Sequence, residues 1–328
     1  MSLQDTRVFI TGATGFLGSN LARHLARDHG ARVTGGGRNL DAVSHLRGYG
    51  VDLQRADLLN LRRMRQLLDG QHIVLHLAAW MGSRHGDRER AWALNVYATG
   101  KLVEMAAEAG AERFVYVSSI AAYGVPGDQI VDESHPPALQ DNTLYGRTKA
   151  EGELQAREVA QKTGLPLTII RPGMIYGPGS RGWSLRIVRL IQKGVPIILG
   201  DGSGHAHPVY IDNLVRAMAA AAGVDSAQEQ IFNVVDRAVS WRDWFGRYGE
   251  LVGRQPRRLP LWLGRVGLSV AQYLPLGLAV DRDLLAYYTA KHVYSIARAE
   301  SELGYRPAID LDEGMRRTAA WLQKEGIL

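Results

Sequence analysis

The glycine-rich turn near the amino terminus constrains the fold more than any other feature of this chain. It reads GATGFLG over residues 12–18 and stands between an apolar run, Arg7–Thr11, and an amphipathic pattern over residues 18–28. Glycine at such a turn lets backbone approach a pyrophosphate closely, and the helix amino terminus offers free N–H groups and partial positive charge. A tight turn without a ligand is the alternative. The position between a first strand and a first helix favours a dinucleotide-binding loop.

Short apolar runs alternate with longer amphipathic stretches through the first half of the chain, and two similar runs follow later. This alternation is typical of a parallel sheet with helices on both faces. We therefore predict an α/β fold, a Rossmann-type doubly wound parallel sheet with a smaller mixed C-terminal substrate lobe. The predicted strands cover residues 7–11, 31–35, 51–55, 73–78, 113–118, 167–171 and 231–235.

The strand–helix alternation loosens after about residue 180, and the length of 328 residues agrees with two structural units. We expect residues 1–179 to form mainly the dinucleotide-binding domain, with residues 208–240 returning to it. Residues 180–207 and 241–328 are expected to form mainly the substrate-binding lobe.

Composition excludes several classes of protein. The chain contains no cysteine, which excludes disulfide scaffolds, thiolate zinc sites and cysteine nucleophiles. Its net charge is +6, but basic and acidic residues are interleaved, so we expect no nucleic-acid partner.

His205 and His207 lack enough neighbouring ligands for a metal and are expected to lie in a loop or at the rim of a substrate site. Residues 84–90 are expected to form a solvated, charge-dense loop. The first residues lack a signal-peptide pattern, and we expect a cytoplasmic protein.

Residues 259–280 form an apolar stretch long enough to span a bilayer. Arg265, Gln272 and Pro275 interrupt it, so we predict no integral membrane segment. Three roles remain open for this stretch: the lining or lid of an apolar pocket, packing in the core of the substrate lobe, and contact with a membrane interface.

Tyr145 and Lys149 are four residues apart, so on a helix they share one face. A tyrosine is a usable proton donor when its pKa of about 10 is lowered, and a neighbouring ammonium lowers it by stabilising the phenolate. Ser119 follows a predicted strand, where its hydroxyl can orient a substrate oxygen. This pattern indicates hydride transfer with tyrosine as acid and base; a packing aromatic beside a lysine is the alternative.

These motifs together resemble the extended branch of the short-chain dehydrogenase/reductase family, of the NAD(P)-dependent epimerase/dehydratase type. The resemblance is strongest to members similar to 3β-hydroxysteroid dehydrogenase and dihydroflavonol reductase, and it covers nearly the whole chain. It implies an NAD(P)-dependent enzyme with catalytic Ser119, Tyr145 and Lys149. The motifs are TGATGFLG at 11–18, HLAA at 76–79, VYVSS at 115–119, YGRTK at 145–149, RPGMIYGPG at 171–179 and YSIARAESELGYRP at 294–307.

The resemblance also implies a set of cofactor-binding residues. Within this set, Asn95 is equally well interpreted as an anchor for water or substrate or as a packing residue. The set consists of Gly12, Thr14, Gly15, Phe16, Leu17, Gly18, Arg38, Asn39, Asp57, Leu58, Leu77, Ala78, Ala79, Asn95, Ser118, Tyr145, Lys149, Pro172 and Ile175.

The residues after the second predicted strand bear on the choice of nucleotide. Gly37 stands where NAD-preferring relatives tend to carry aspartate, and Arg38 follows it. A guanidinium can pair with a 2′-phosphate, whereas a carboxylate would bind the ribose hydroxyl of NAD. We therefore predict NADP, with NAD possible if Arg38 only stacks on the adenine.

The resemblance leaves more than one chemistry open. Dehydration is disfavoured because Ile120 and Ala121 replace the acidic pair of dehydratases. Ala206 stands where sugar-nucleotide enzymes carry a phosphate-binding arginine. We predict an oxidoreductase that interconverts a secondary alcohol and a ketone on a small, fairly apolar substrate. A nucleotide-sugar 4-epimerase with tightly bound NAD is the alternative. A nucleotide-sensing regulator is disfavoured because all three catalytic residues are present.

The family often dimerises through two helices, here expected over residues 91–109 and 144–162. We therefore expect a homodimer with a small-molecule substrate.

Overall fold

A parallel sheet of seven strands forms the centre of the computed structural model, which describes residues 2–82, 87–140, 143–264 and 282–328. The strands in chain order are β1 Arg7–Thr11, β2 Arg32–Gly37, β3 Asp52–Arg55, β4 Ile73–His76, β5 Arg113–Val117, β6 Ile130–Val131, β7 Leu167–Pro172, β8 Met174–Tyr176, β9 Ile198–Leu199, β10 His205–Ala206, β11 Pro208–Tyr210, β12 Ile231–Val234, β13 Val239–Ser240, β14 Arg258–Leu259 and β15 Val293–Tyr294.

Helices connect these strands. They are α1 Phe16–His29, α2 Leu61–Leu68, α3 Arg88–Trp92, α4 Ala98–Glu108, α5 Leu144–Thr163, α6 Arg186–Gln192, α7 Ile211–Gly223, α8 Trp241–Val252, α9 Arg282–Thr289, α10 Ala297–Leu303 and α11 Leu311–Lys324. Short 3₁₀ turns lie at Asp41–Tyr49, Ile120–Tyr123 and Asp225–Ala227, and π-helical turns at Ala93–Tyr97 and Arg181–Leu185.

The order of the main sheet is β3-β2-β1-β4-β5-β7-β12, with every neighbouring pair parallel. The chain starts with β1 in the middle of the sheet, adds β2 and β3 on one side, and then adds β4, β5, β7 and β12 on the other side. The predicted Rossmann-type, doubly wound α/β fold is confirmed. The four smaller strand pairs, β11 with β8, β10 with β13, β14 with β9 and β15 with β6, lie outside the main sheet.

One predicted strand boundary was wrong for a reason that matters to the site. The fourth strand was expected to run to residue 78 but ends at His76. The backbone N–H groups of Leu77 and Ala78 both donate to the Thr11 hydroxyl, each at 3.2 Å, instead of to a neighbouring strand. The chain therefore leaves the sheet after His76, and Leu77 and Ala78 begin the loop that faces the glycine turn.

Alternate side chains of the central strands belong to two hydrophobic layers, because successive residues of a strand point to opposite faces of the sheet. Val8 and Ile10 of β1 lie in the layer that includes helices α1 and α7, whereas Phe9 lies in the layer beneath α2, α4 and α5. The first layer continues without a break into the C-terminal part of the chain, where it includes Trp241 and Trp244.

The apolar stretch noted in the sequence is only partly described. Residues 265–280 lie outside the described residues, so the roles considered for this stretch remain predictions. Trp262, which is described, is 64% exposed. Across the described part of the chain, no helix is both long and apolar enough to cross a membrane.

We predict that Trp244→Ala lowers the free energy of unfolding by about 3–5 kcal/mol, since it removes a fully buried ring from the shared layer. Urea denaturation followed by circular dichroism should still show one transition, because the layer joins both parts of the chain. Trp262→Ala is the matched control and should shift stability by no more than about 0.5 kcal/mol. Two transitions, of which only one moves, would contradict a shared core.

Candidate active site

The glycine turn is packed against the loop that follows β4. Gly12 has a positive φ of 72°, and a Cβ there would lie 2.8 Å from the backbone nitrogen of Ala78. A Cβ on Gly18 would lie 2.2 Å from the carbonyl oxygen of Gly12. Gly15 caps α1 without a side-chain hydrogen bond, and the first turn of α1 contains no acidic residue. The N–H groups of that turn are therefore left for an anionic ligand.

The predicted cofactor-binding residues gather at one edge of the sheet, where the carboxyl ends of parallel strands meet and where ligands bind in such folds. Gly12, Thr14, Gly15, Phe16, Leu17 and Gly18 follow β1, Arg38 and Asn39 follow β2, Asp57 and Leu58 follow β3, Leu77, Ala78 and Ala79 follow β4, Ser118 follows β5, Pro172 ends β7 and Ile175 lies in β8.

A series of buried hydrogen bonds holds together the segments that meet at this edge of the sheet. The Thr11 hydroxyl lies 2.7 Å from Nδ1 of His76, and Nε2 of His76 lies 3.0 Å from the hydroxyl of Thr99. Thr99 in turn donates to the carbonyl oxygen of Asn95 at 2.8 Å. Burial lowers the pKa of His76 to about 3, so the imidazole is neutral at physiological pH.

Asn95 connects these hydrogen bonds to helix α5. Its side-chain oxygen accepts from the Trp80 N–H at 2.7 Å, and its amide donates to Trp80 O and to the Thr148 hydroxyl, both at 3.0 Å. Thr148 itself donates to the carbonyl oxygen of Tyr145 at 3.1 Å. The predicted direct contact of Asn95 with a cofactor is therefore corrected to an indirect role, because its polar atoms are already bonded within the protein. Asn95 positions the turn that carries Tyr145.

Ser119, Tyr145 and Lys149 lie together beneath the end of β5. The hydroxyl of Ser119 caps the turn Ile120–Tyr123 by accepting from the Ala121 N–H at 3.1 Å, and its interaction with the Tyr145 phenol lowers the pKa of Tyr145. Lys149 is 2% exposed; its Nζ donates to Val117 O at 2.7 Å and lies 4.9 Å from the ring centre of Tyr116.

The electrostatics of this group differ from the sequence-based expectation. Lys149 was expected to lower the pKa of Tyr145. Burial instead raises the pKa of Tyr145 to about 12, with the Ser119 hydrogen bond acting in the opposite direction. Burial also lowers the pKa of Lys149 to about 7, while the Glu153 carboxylate raises it. The expectation failed because desolvation of the Tyr145 phenol penalises its charged form more than its neighbours stabilise it.

Ser118 provides a test of whether a nicotinamide cofactor fits. It is 2% exposed, and its hydroxyl has no hydrogen-bond partner among the described residues. A buried hydroxyl without a partner carries a desolvation penalty that a ligand group would relieve. Together with the glycine turn, which no Cβ obstructs, this residue fits a dinucleotide lying along the edge of the sheet.

At the other end of this edge, Thr14 occupies the place where a side chain on residue 37 would begin. A Cβ on Gly37 would lie 2.3 Å from Cγ2 of Thr14. A cavity of about 380 Å³ opens beside it. The cavity is lined by Arg38, Asp57, Leu59, Glu89, Arg90, Ala93 and Leu94.

Sequence analysis missed two features of the site. Glu89 and Arg90 belong to the stretch that was expected to be merely solvated, yet they line this cavity.

The second feature is a buried ion pair between Glu153 and Arg171. Each side chain is 1% exposed, and Nε of Arg171 lies 2.9 Å from Oε1 of Glu153. The Arg171 guanidinium also lies 4.3 Å from the ring centre of Tyr123. Only the spacing of Glu153, one helical turn after Lys149, was available as a signal.

The paired histidines occupy different environments. His205 lies in β10, whereas His207 lies in the connection between β10 and β11, as a loop residue would, but is fully buried and so does not lie at a rim. Its Nε2 lies 2.9 Å from His292 O, its ring stacks on His292, and burial lowers its pKa to about 3. Within the described ranges, no group of three or more histidine, cysteine or acidic side chains is arranged to hold a metal.

A glycine turn on the first strand, with a serine, a tyrosine and a lysine at the same sheet edge, defines a dinucleotide-dependent enzyme with a Rossmann fold. The chain belongs to the NAD dependent epimerase/dehydratase family, whose sequence profile matches residues 8–234. The resemblance to the extended short-chain type and the expectation of an NAD(P)-dependent enzyme are thereby confirmed.

Similar proteins carry out more than one reaction. The chain is 28% identical over 295 residues to 3beta-hydroxysteroid-dehydrogenase/decarboxylase isoform 1 of Arabidopsis thaliana, covering 83% of this chain and 67% of that protein. It is 27% identical to the UDP-glucose 4-epimerase of Vibrio cholerae over 333 residues, covering 96% and 95%. The solved structure of MoeE5 in complex with UDP-glucose and NAD is similar, with a TM-score of 0.78, 27% identity and coverage of 97% and 99%.

We predict that Lys149→Met abolishes a rise in stability with pH. The folded protein holds the pKa of Lys149 near 7, whereas in the unfolded chain it has its ordinary value of 10.5. Between these values the unfolded state binds more protons, so the free energy of unfolding rises with pH, by up to about 1.4 kcal/mol per unit. Urea titrations of the protein without added nucleotide at pH 7 to 9.5 measure this slope.

Lys162→Met is the control for that slope, because Lys162 is an exposed lysine of the same helix. The control should keep the wild-type slope. An unchanged slope in Lys149→Met would show that the ammonium is not desolvated as described.

Proposed function

We propose that the protein is an NADP-dependent oxidoreductase that interconverts a secondary alcohol and a ketone on a small, fairly apolar substrate. The observation that carries this proposal is the placement of Ser119 directly after β5 and of Tyr145 and Lys149 one helical turn apart on α5, with Nζ of Lys149 bonded to Val117 O at the end of β5. This group lies at the sheet edge to which the glycine turn also belongs.

The chain's own residues supply proton transfer and orientation. A bound NADP(H) supplies or accepts the hydride. The Ser119 hydroxyl orients the substrate oxygen, and Tyr145, whose high pKa keeps it protonated at neutral pH, donates its proton to that oxygen during reduction. Solvent then restores the proton to Tyr145, and oxidation follows the reverse path. In its charged form, Lys149 keeps two donor hydrogens beyond its bond to Val117 O, which suits the hydroxyls of a ribose.

The preference for NADP follows from the end of β2. NAD-binding folds select the ribose hydroxyl with a carboxylate at this place. Gly37 supplies none, and Thr14 fills the space into which a side chain there would project. Arg38, which lines the adjoining cavity, supplies a guanidinium suited to a 2′-phosphate.

A nucleotide-sugar 4-epimerase with tightly held NAD is the second candidate, favoured by the full-length similarity to the Vibrio cholerae epimerase. Ala206 weighs against it, because this fully buried alanine replaces the phosphate-binding arginine implied by the family resemblance. The loss of such a charge-assisted contact costs about 1.5–3 kcal/mol where nothing replaces it.

A homodimer through the helices α4 and α5 is part of the proposal. Leu154 of α5 and Tyr97, directly before α4, are 40% and 52% exposed, and both are large apolar side chains that an interface would cover.

We predict that Tyr145→Phe lowers kcat by about 10²- to 10⁴-fold, because it removes the proton donor. The dissociation constant of NADPH should change by less than about twofold, as measured by quenching of tryptophan fluorescence, since the ring and its packing remain. Tyr97→Phe is the matched control and should keep wild-type kcat. Activity retained in Tyr145→Phe would remove Tyr145 from its assigned role.

The choice between the two candidate functions rests on the nucleotide. Freshly purified protein is denatured, any released nucleotide is identified by mass spectrometry, and the protein is titrated with NADPH and NADH. We expect little retained nucleotide and binding of NADPH at least about tenfold tighter than that of NADH. Stoichiometric NAD would instead establish the epimerase, since a cofactor regenerated within each turnover need not dissociate.

A panel of apolar ketones with NADPH, run beside UDP-glucose and UDP-galactose, then tests the substrate class. Oxidation of NADPH by ketones supports the proposal, and interconversion of the two sugar nucleotides without net redox change contradicts it.

A further inference from the structure

The cavity beside the end of β2 contains a second guanidinium that the sequence did not suggest. In dinucleotide-binding folds, the space outside the end of the second strand takes the adenosine half of the cofactor. Here Arg38 enters that space directly after β2, and Arg90 enters it from α3, far along the chain. The cavity therefore brings together two arginines from separate elements.

Both side chains are available to a ligand. Arg38 and Arg90 are exposed, and neither forms a salt bridge or a side-chain hydrogen bond with another residue of the described ranges. The neighbouring Arg88 differs, because its guanidinium lies 5.1 Å from the ring centre of Trp92. Of the two arginines of α3, Arg90 alone lines the cavity. A guanidinium binds a phosphate through two parallel hydrogen bonds.

The charges around the cavity explain why one arginine is insufficient. Asp57 and Glu89 also line it, so the two arginines and the two carboxylates give a net charge of zero. Without Arg90 the lining would carry a net charge of −1, which repels a phosphate dianion. Asp57 is partly occupied, since one of its oxygens accepts from the Leu59 N–H at 3.1 Å.

We propose that Arg90 is a specificity-determining residue that, together with Arg38, binds the 2′-phosphate of NADP. This inference rests on the proposed NADP preference and adds to it a residue outside the motifs of the family resemblance. Glu89, next to Arg90, opposes phosphate binding and limits the affinity that the two arginines provide.

The test uses as probes the adenosine end of the cofactor with and without the 2′-phosphate. Binding of 2′,5′-ADP and of 5′-AMP is measured by calorimetry at fixed ionic strength, for the wild type, Arg38→Ala, Arg90→Ala and the matched control Arg88→Ala. We expect Arg90→Ala to weaken 2′,5′-ADP binding by about 10- to 100-fold and 5′-AMP binding by less than about twofold. Arg88→Ala removes the same charge from the same helix and should change neither probe by more than about twofold.

The outcomes separate this inference from the proposed function. If the wild type binds 5′-AMP as tightly as 2′,5′-ADP, the NADP preference itself is wrong. If the wild type discriminates and Arg38→Ala loses this discrimination while Arg90→Ala keeps it, only the role of Arg90 is overturned.

Glu89→Gln supplies a second, independent readout on the same cavity. Removal of this carboxylate should tighten 2′,5′-ADP binding severalfold and leave 5′-AMP binding unchanged. Weaker binding of 5′-AMP would overturn the inference, because Glu89 would then accept a hydrogen bond from the ribose and the cavity would be built for NAD.

Discussion

The hydrogen bond between the Thr11 hydroxyl and the His76 imidazole is the interaction on which the site depends. Thr99 uses its proton on Asn95 O, so it must accept from Nε2–H of His76, which leaves Nδ1 to accept from Thr11. Thr11 still accepts from the N–H groups of Leu77 and Ala78. Every donor in this series of hydrogen bonds is used, and the tautomer of His76 is fixed as a result.

These hydrogen bonds link the glycine turn to helix α5. Thr11 immediately precedes Gly12, and Asn95, at the other end, donates to the hydroxyl of Thr148, which lies between Tyr145 and Lys149 on α5. The separation between the glycine turn and Tyr145 is thus set by neutral buried groups. A charged histidine at this point would have to be desolvated, which its low pKa already reflects.

Local sequence was sufficient for the features that depend on local physics. Apolar periodicity predicted the strands, the glycine pattern predicted the turn between β1 and α1, and the Tyr145–Lys149 spacing predicted that these two residues share a helix. The ion pair of Glu153 with Arg171 and the meeting of Arg90 with Arg38 depend on which distant segments fold together, and periodicity carries no such information. The pKa of Tyr145 depends on how completely the site excludes water, which residue spacing also does not reveal.

The contact between Thr14 and the position of Gly37 has a consequence for how this cofactor site can change over evolution. An aspartate at position 37 needs the volume that the Thr14 side chain already fills. An acidic residue at the end of β2 therefore requires the Thr14 side chain to move aside or to be replaced by a smaller one. Either change alters the glycine turn, to which we assign the pyrophosphate, so the two halves of the proposed nucleotide site are constrained to evolve as a unit.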